Sequence, residues 1–360
     1  MAAFLKVLSS ILSAIIIFVS SNFGVWTEQV KSVSSIKKVA DGFYTMDYTY
    51  DYDIDEMLER GVPTTVGLIG YGLANTLTDI KGFGCTTFNA VNEDNEYIFA
   101  RNYDYMDSPY LLVWTHPKDG YASMSSVSLY FLLYQGQFMP EDEASGILTL
   151  LAPYIPVDGI NEKGLSIGVL ELEKDPVFQL TCKPDLTTTT MIRAVLDKAA
   201  TVDEAIEIFE SHDMHDLIFD ECTYHYQIAD ASGKSAVIEY VDGKMNILYP
   251  EKKADNKTDY IIAANYFLTP GVDDPDGLGY ERVATAKKAL DASKGLVSEY
   301  DAMKILKSVS VKDEDMNGYI CSTLWSAVYN THDLTLNVCV HNNYDNQYMF
   351  SLDKPQQRLR

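Results

Sequence analysis

The sequence predicts an α+β fold in which antiparallel sheets are covered by helices. Short apolar runs bounded by turn-forming residues recur along most of the chain, the pattern of successive hairpins. Between them lie segments with apolar residues at helical spacing, and hairpins interleaved with helices give a layered α+β arrangement. The chain also has the material for a large core: 47% of its 360 residues are hydrophobic and 22% are charged. It carries no low-complexity tract.

At the N-terminus, Lys6 precedes the apolar run Val7 to Val19, and Ser20 and Ser21 follow. One positive charge and a short apolar core fit a secretory signal. The run is short for a spanning helix. No A-x-A cleavage site is visible, so an uncleaved membrane anchor stays open. Residues 1–26 are therefore set apart as signal peptide or anchor, and a secreted or cell-envelope location is expected.

Residues 27–84 read as a separate block. Phe43 to Met46 predicts a strand, Asp47 to Asp55 is acidic and tyrosine-rich, and Ile54 to Arg60 predicts a helix. Val66 to Thr76 is apolar and punctuated by glycine. Lys81-Gly82-Phe83-Gly84 then meets Cys85, with glycines that open backbone conformations closed to other residues.

From Cys85 onward the chain is strand-rich. Thr86 to Val91 and Glu96 to Ala100 flank the turn Asn92-Glu93-Asp94-Asn95. Leu111 to Trp114 and Ser126 to Leu133 are further strands, and Ile160 to Leu172 contains the turn Asn161-Glu162-Lys163-Gly164. Tyr224 to Ala229 and Ser235 to Tyr240 make a hairpin that turns again into Met245 to Tyr249. Thr323 to Asn330 and Leu334 to His341 make another. Helices are expected over Thr190 to Ala200, Thr201 to Glu210, Tyr280 to Ala292 and Glu299 to Val309. Thr201 with Glu204 three residues on is a capping box. No internal repeat is present.

Charge and cysteine content narrow the function. The formal charge is −24, from 52 acids against 28 bases. Such a surface repels phosphate backbones, and no Lys/Arg cluster offsets it, so nucleic-acid binding is excluded. Anionic membrane surfaces are disfavoured for the same reason. The five cysteines are odd in number and widely spaced, without a CxxC pair, which is not a disulfide scaffold. His212 and His215, with Cys222 and His225, do not match a recognised zinc spacing. The signature of papain-like cysteines is absent.

The chemistry concentrates at Gly84-Cys85-Thr86-Thr87-Phe88 and Ala100-Arg101-Asn102-Tyr103-Asp104-Tyr105. A cysteine opens one strand, and an arginine and an aspartate lie at the end of the strand returning from the turn. Cross-strand neighbours lie within about 5 Å, so Arg101 and Asp104 are expected to flank the sulfur. A nearby cation lowers a thiol pKa. Cleavage before Cys85 would add a free α-amine with a reference pKa of about 7.7–8.0, able to take the thiol proton. Asp104 would hold that amine and favour its charged form. Tyr103, Tyr105, Tyr110, Trp114, Tyr130, Phe131 and Tyr134 cluster after these residues, as an apolar acyl pocket or as ordinary sheet packing.

These residues carry a resemblance. Cys85 with Arg101-Asn102-x-Asp104, the turn Asp158-Gly159-Ile160-Asn161-Glu162-Lys163-Gly164-Leu165, Ala264-Asn265-Tyr266-Phe267 and Tyr280-Glu281-Arg282 occur in the order seen in the choloylglycine hydrolases. That family of N-terminal nucleophile hydrolases includes bile salt hydrolases, penicillin V acylases and acid-ceramidase-like amidases. The tail Leu324-Trp325-Ser326-Ala327-Val328-Tyr329 is similar too, so the likeness spans about residues 85–351.

The resemblance implies a four-layer αββα sandwich over residues 85–360, with 27–84 as a propeptide-like segment. It implies a self-processing hydrolase of linear C–N amide bonds, with Cys85, Arg101, Asp104, Asn265 and Arg282 as catalytic residues. Asn265 would line the oxyanion hole. The substrates implied are small-molecule N-acyl amides of bile salt, penicillin V or fatty-acyl type. No metal or organic cofactor is implied, and a homo-oligomer is. One position departs from the bile salt and penicillin V subgroups: Glu171 stands where an asparagine is common. The alternative reading is a secreted ligand-binding protein that keeps the fold without the chemistry.

Overall fold

The computed structural model describes residues 26–61, 84–132, 134, 139–140, 146–216, 222–316 and 319–359. The apolar run Val7 to Val19, the stretch Val66 to Thr76 and Lys81 to Phe83 lie outside the described residues. In chain order the elements are α1 (Trp26–Ser34), β1 (Lys37–Ala40), β2 (Phe43–Tyr48), α2 (Ile54–Arg60), β3 (Cys85–Val91), β4 (Tyr97–Met106), β5 (Tyr110–Thr115) and β6 (Ser123–Ser128). Next come β7 (Asp158–Asn161), β8 (Ser166–Leu172), β9 (Asp185–Leu186), α3 (Thr188–Lys198), α4 (Val202–Ser211), β10 (Asp213–Met214), β11 (Thr223–Ala229), β12 (Ser235–Val241) and β13 (Lys244–Leu248). The chain continues through β14 (Ile262–Ala263), α5 (Tyr280–Ser293), α6 (Glu299–Ser308), β15 (Glu314–Met316), β16 (Tyr319–Asn330), β17 (Thr335–Val340), β18 (Tyr348–Ser351) and β19 (Lys354–Leu359).

Among the described residues the strands form two large sheets and a two-stranded β9–β10 pair. One sheet has nine strands in the order β1-β2-β5-β6-β7-β8-β11-β12-β13, and the other has eight, β14-β3-β4-β16-β17-β18-β19 with β15 on β16. Pairing within both is antiparallel except at β2 and β5, which run parallel. The sheets stack on one shared apolar layer. Phe99, Tyr103, Trp325, Tyr329 and Val338 from the eight-stranded sheet meet Tyr110, Met124, Ile160, Ile167 and Tyr226 from the other. Period-two alternation then turns Phe88, Ala90, Ile98, Ala100 and Val328 to the opposite face, where Ala286 and Leu290 of α5 and Ala302, Met303 and Leu306 of α6 cover them. Helices α3 and α4 pack on the outer face of the nine-stranded sheet. The result is helix, sheet, sheet, helix, as expected.

Helices α2, α3, α4 and α6 begin where side chains satisfy their first amides. Ser298 Oγ accepts from Asp301 N at 3.1 Å at the start of α6, and Thr201 Oγ1 accepts from Glu204 N at 3.2 Å at α4. The reciprocal half of the expected box lands one residue early: Glu204 accepts from Ala200 N at 2.6 Å.

Three expectations are corrected. The strand read as ending at Ala100 runs on to Met106. Its polar second half, with Arg101, Asn102 and Asp104, is fully buried between β3 and β16 and is matched there by partners. The strand read as Ser126 to Leu133 instead spans Ser123–Ser128, and a 3-10 turn follows over Leu129–Leu132. The described part of the block before Cys85, residues 26–61, is not separate in its packing. Strands β1 and β2 extend the nine-stranded sheet, and Phe43, Tyr44 and Met46 sit in its core.

Candidate active site

Cys85 is the first residue of β3, and its register fixes its surroundings. It stands opposite Tyr103, and Thr87 stands opposite Arg101. Cys85, Arg101 and Tyr103 therefore share the face turned to the other sheet, while Asn102 and Asp104 face the α5–α6 side. Arg101 Nη2 lies 3.3 Å from Cys85 Sγ. Asn102 reaches the Leu306 carbonyl of α6 at 2.8 Å, which confirms the division. Of the expected flanking pair, only the arginine reaches the sulfur with its side chain; Asp104 acts on it through its main-chain N–H.

The Arg101 guanidinium is wholly buried and held on every side. Nη2 also donates to Val169 O at 3.0 Å, and Nη1 donates to Val157 O at 2.7 Å and Asp158 Oδ2 at 3.1 Å. Asp158 in turn accepts from Trp325 Nε1 at 3.1 Å and from the Tyr329 hydroxyl. Burial works against the Arg101 charge, but Asp158 and Cys85 more than offset it and raise its pKa. Burial pushes the Cys85 thiol up, with Arg101 as the strongest opposing influence. The fork geometry matters: one planar group bridges carboxylate, two carbonyls and thiol at once.

The second half of the site surrounds the Cys85 main chain. Arg282, in the first turn of α5, donates through Nη1 to Cys85 O at 2.8 Å, Thr86 Oγ1 at 3.3 Å and Asp104 Oδ2 at 3.1 Å. Its Nη2 donates to Asn265 Oδ1 at 3.0 Å. Asn265 follows β14; its Oδ1 accepts the Cys85 amide at 2.6 Å, and its Nδ2 donates to Glu171 O at 3.0 Å. Asp104 Oδ1 accepts from Thr323 Oγ1 at 2.5 Å. Burial raises the Asp104 carboxyl to about 6, against the pull of Arg282 and the Thr323 hydrogen bond.

Two glycines make this crowding possible. A Cβ at Gly84 would stand 2.7 Å from Asp104 Oδ2 and 3.1 Å from Arg282 Nη1. Gly279, with φ at 89°, caps α5 and lets the Arg282 guanidinium fold against it.

The other four residues singled out from the sequence, Arg101, Asp104, Asn265 and Arg282, thus converge on Cys85, in two groups on opposite faces of β3 and β4. Glu171 is nearby: its carboxylate adds to the upward shift of Tyr103 and Cys321. Sequence reasoning missed Asp158, Thr323 and Trp325 as parts of this network. Asp158 had been read only within a turn motif, yet a charged residue between apolar runs in a strand is itself a signal for a buried partner. His212 and His215 engage backbone carbonyls of Ile208, Leu58 and Gln179. His225 pairs with Glu239.

The sequence profile of the linear amide C–N hydrolases, choloylglycine hydrolase family, matches residues 85–266, half of the chain. The chain belongs to this family. Penicillin V acylase of Pectobacterium atrosepticum is 31% identical over 194 residues, which are 49% of this chain and 49% of that protein. The chain thus spans about half the length of that curated relative. Among solved structures, the conjugated bile acid hydrolase of Clostridium perfringens superposes with a TM-score of 0.53 at 15% identity, covering 77% of this chain and 96% of that one. Penicillin V acylase of Agrobacterium tumefaciens gives 0.50 at 20% identity, covering 75% and 87%. At these identities the likeness speaks for the fold, and the family's paired sheets between helical layers are those described above.

Proposed function

We propose that this family member is a self-processing cysteine amidohydrolase that cleaves the linear C–N bond of N-acyl compounds through an acyl-enzyme on Cys85. The observation that carries the reading is the double embrace of Cys85. Arg101 holds its sulfur, and Asn265, Arg282 and Asp104 surround its main-chain nitrogen and carbonyl.

In maturation the Cys85 thiol adds to the Gly84 carbonyl, and the Gly84–Cys85 C–N bond breaks. Water then hydrolyses the thioester link and leaves Cys85 with a free α-amine. In turnover that amine takes the thiol proton, and the thiolate attacks the substrate carbonyl carbon. Asn265 Nδ2 donates to the developing oxyanion. The ammonium returns its proton to the departing amine. A water, deprotonated by the same amine, then releases the acid. Asn265 Oδ1 holds the amine, and Asp104, paired with Arg282, favours its charged form. No step calls for a metal or organic cofactor.

The wall beside the sulfur is aromatic. Tyr103 stacks on Trp325 with centroids 4.1 Å apart, and Tyr105 packs against Tyr130 and Phe131 at 5.3 and 5.7 Å. This supports an apolar acyl group, whether steroid, aryloxyacetyl or fatty acyl. The N-terminal apolar run supports export. Strands β1 and β2 would stay in the sheet after the cut, because both are hydrogen-bonded into it and β2 is buried there.

The test is a panel of glycocholate, taurocholate, penicillin V and an N-acyl ethanolamide, with intact-mass analysis of the purified protein. Release of the amine product and a chain beginning at Cys85 are expected. Full activity with Cys85 still internal, or full turnover by Cys85→Ser, would overturn the reading. Binding of these ligands without turnover would favour a non-catalytic protein.

A further inference from the structure

Behind Asn265 lies a buried histidine–glutamate pair that the reaction scheme does not use. His225 on β11 and Glu239 on β12 are both fully buried. His225 Nδ1 is 3.0 Å from Glu239 Oε1, and Nε2 is 2.8 Å from the carbonyl oxygen of Ala264, the residue before Asn265. Glu239 also accepts from Leu268 N at 2.8 Å, Thr269 N at 3.0 Å and Thr269 Oγ1 at 2.7 Å. The pair therefore grips both ends of the loop 264–269 that carries Asn265.

Neither partner of the ring has a hydrogen to give. A carbonyl oxygen only accepts, and an ionised carboxylate only accepts. Three other donors, the Leu268 and Thr269 amides and the Thr269 hydroxyl, point at the Glu239 carboxyl and favour its ionised form. Both ring nitrogens must then carry hydrogen, so the ring is an imidazolium. A neutral ring has one donor, and either tautomer would leave a lone pair facing an oxygen inside the protein, where an unmade bond is costly.

We propose that His225 is a positioning residue: a buried imidazolium which, with Glu239, clamps the Ala264 carbonyl and sets where Asn265 meets the Cys85 nitrogen and the reacting carbonyl. Loss of one of its protons releases one of the two bonds and lets Asn265 move. Other titratable or charged groups around the loop are Tyr266 within it, Tyr280, which stacks on Tyr266, Asp274, which accepts from Phe267 N at 2.8 Å, Glu171 on β8, whose carbonyl accepts from Asn265, and Arg282 on α5, which donates to Asn265. The inference rests on the role proposed above for Asn265.

Two measurements test it. The first is nitrogen NMR of histidine-labelled Cys85→Ser protein, with the His225 signal assigned by its loss in His225→Gln. Both ring nitrogens should be protonated at neutral pH, and a neutral ring there overturns the proposal. The second is the pH profile of kcat on whichever amide the wild type cleaves. kcat should fall by about tenfold or more on the alkaline side, within the cost of misplacing one oxyanion donor. The midpoint should match the His225 titration, with KM little changed. Glu239→Gln, whose amide can donate to a neutral ring, should move both midpoints to lower pH together. An alkaline limb that stays in place while the NMR midpoint moves refutes the coupling. If the wild type turns over no amide at all, the functional reading fails, and the NMR result still decides the state of the clamp.

Discussion

Two substitutions at the Arg101–Asp158 pair should move the reactivity of Cys85 in opposite directions. Arg101 Nη2 is 3.3 Å from Sγ, and its other face is tied to Asp158 at 3.1 Å. At 3.3 Å, in an effective dielectric of about 20, a cation and a thiolate attract by about 5 kcal/mol. That corresponds to roughly three to four pKa units. Arg101→Met combined with Asp158→Asn removes both charges of the pair and leaves no lone buried carboxylate. The thiol should titrate about three units higher, and alkylation by iodoacetamide at pH 7 should slow by about a thousandfold. Asp158→Asn alone keeps the cation and removes its competing anion, so Sγ gains a larger share of it. The thiol should then titrate lower, although the buried guanidinium without its carboxylate costs about 3–5 kcal/mol of stability. The assay is the pH dependence of the alkylation rate, with the site confirmed by mass spectrometry. Midpoints that move in the same direction in the two variants, or do not move in the double variant, would refute an electrostatic role for Arg101.

Further consequences can be checked separately. The Asp104 carboxyl at about 6 has to be ionised to pair with Arg282 and an α-ammonium, so kcat/KM should rise with pH through about 6; in Asp104→Asn that acid limb should vanish, and its survival would assign it to another group. Stability should run the other way. Asp104 and Asp197 both titrate near 6 in the fold, above an unfolded value of about 3.9. Each therefore contributes stability, in full below about pH 4, that is lost as pH rises through about 6, by about 3 kcal/mol for a two-unit shift. Thermal melts of wild type against Asp197→Asn should show a smaller drop between pH 5 and 7 in the variant. Gly84→Val places a side chain against Asp104 Oδ2 and Arg282 Nη1, and intact-mass time courses should show slowed release of Cys85; processing at the wild-type rate would mean that this approach is not needed. Trp325→Phe keeps the stack with Tyr103 and Tyr110 but drops the bond to Asp158, and urea unfolding should show a loss of about 1–2 kcal/mol.

Much of the fold could be read in the sequence because its hairpins advertise their turns. Asp230-Ala231-Ser232-Gly233 joins β11 to β12 as expected, with Asp230 N donating to Lys234 O at 3.0 Å across it. The failures have one cause. β4 was cut short at Ala100, and β6 lost its serine-rich first half, because apolar patterning treats a polar residue as exposed. In a two-sheet sandwich both strands are covered on each face, and Ser123, Ser125, Asn102 and Asp104 are all fully buried. The contribution of residues 37–48 to the sheet was hidden for a different reason. β2 pairs in parallel with β5, which lies more than sixty residues downstream, and no local turn marks such a contact.

The site shows the same division between what a strand encodes and what stacking adds. Spacing alone placed Arg101 and Asp104 near Cys85, because a hairpin register is local. Alternation, applied to that register, also separates them: an odd difference in position sends one toward the opposite sheet and the other toward the helices. Which partner each finds there is decided by chain far away. Arg101 meets Asp158, fifty-seven residues on, and Asp104 meets Thr323 and Arg282, two hundred and nineteen and one hundred and seventy-eight residues on. The consequence for chemistry is a division of labour. The face between the sheets is buried and rich in aromatic rings around the Arg101–Asp158 pair, which suits tuning a sulfur. The face beneath α5 gathers a carboxylate, a guanidinium and a carboxamide around a backbone nitrogen, which suits holding an amine. A single residue at the edge of β3 has its side chain in the first environment and its main chain in the second. The proposed reaction asks for that arrangement, with one residue supplying both nucleophile and base.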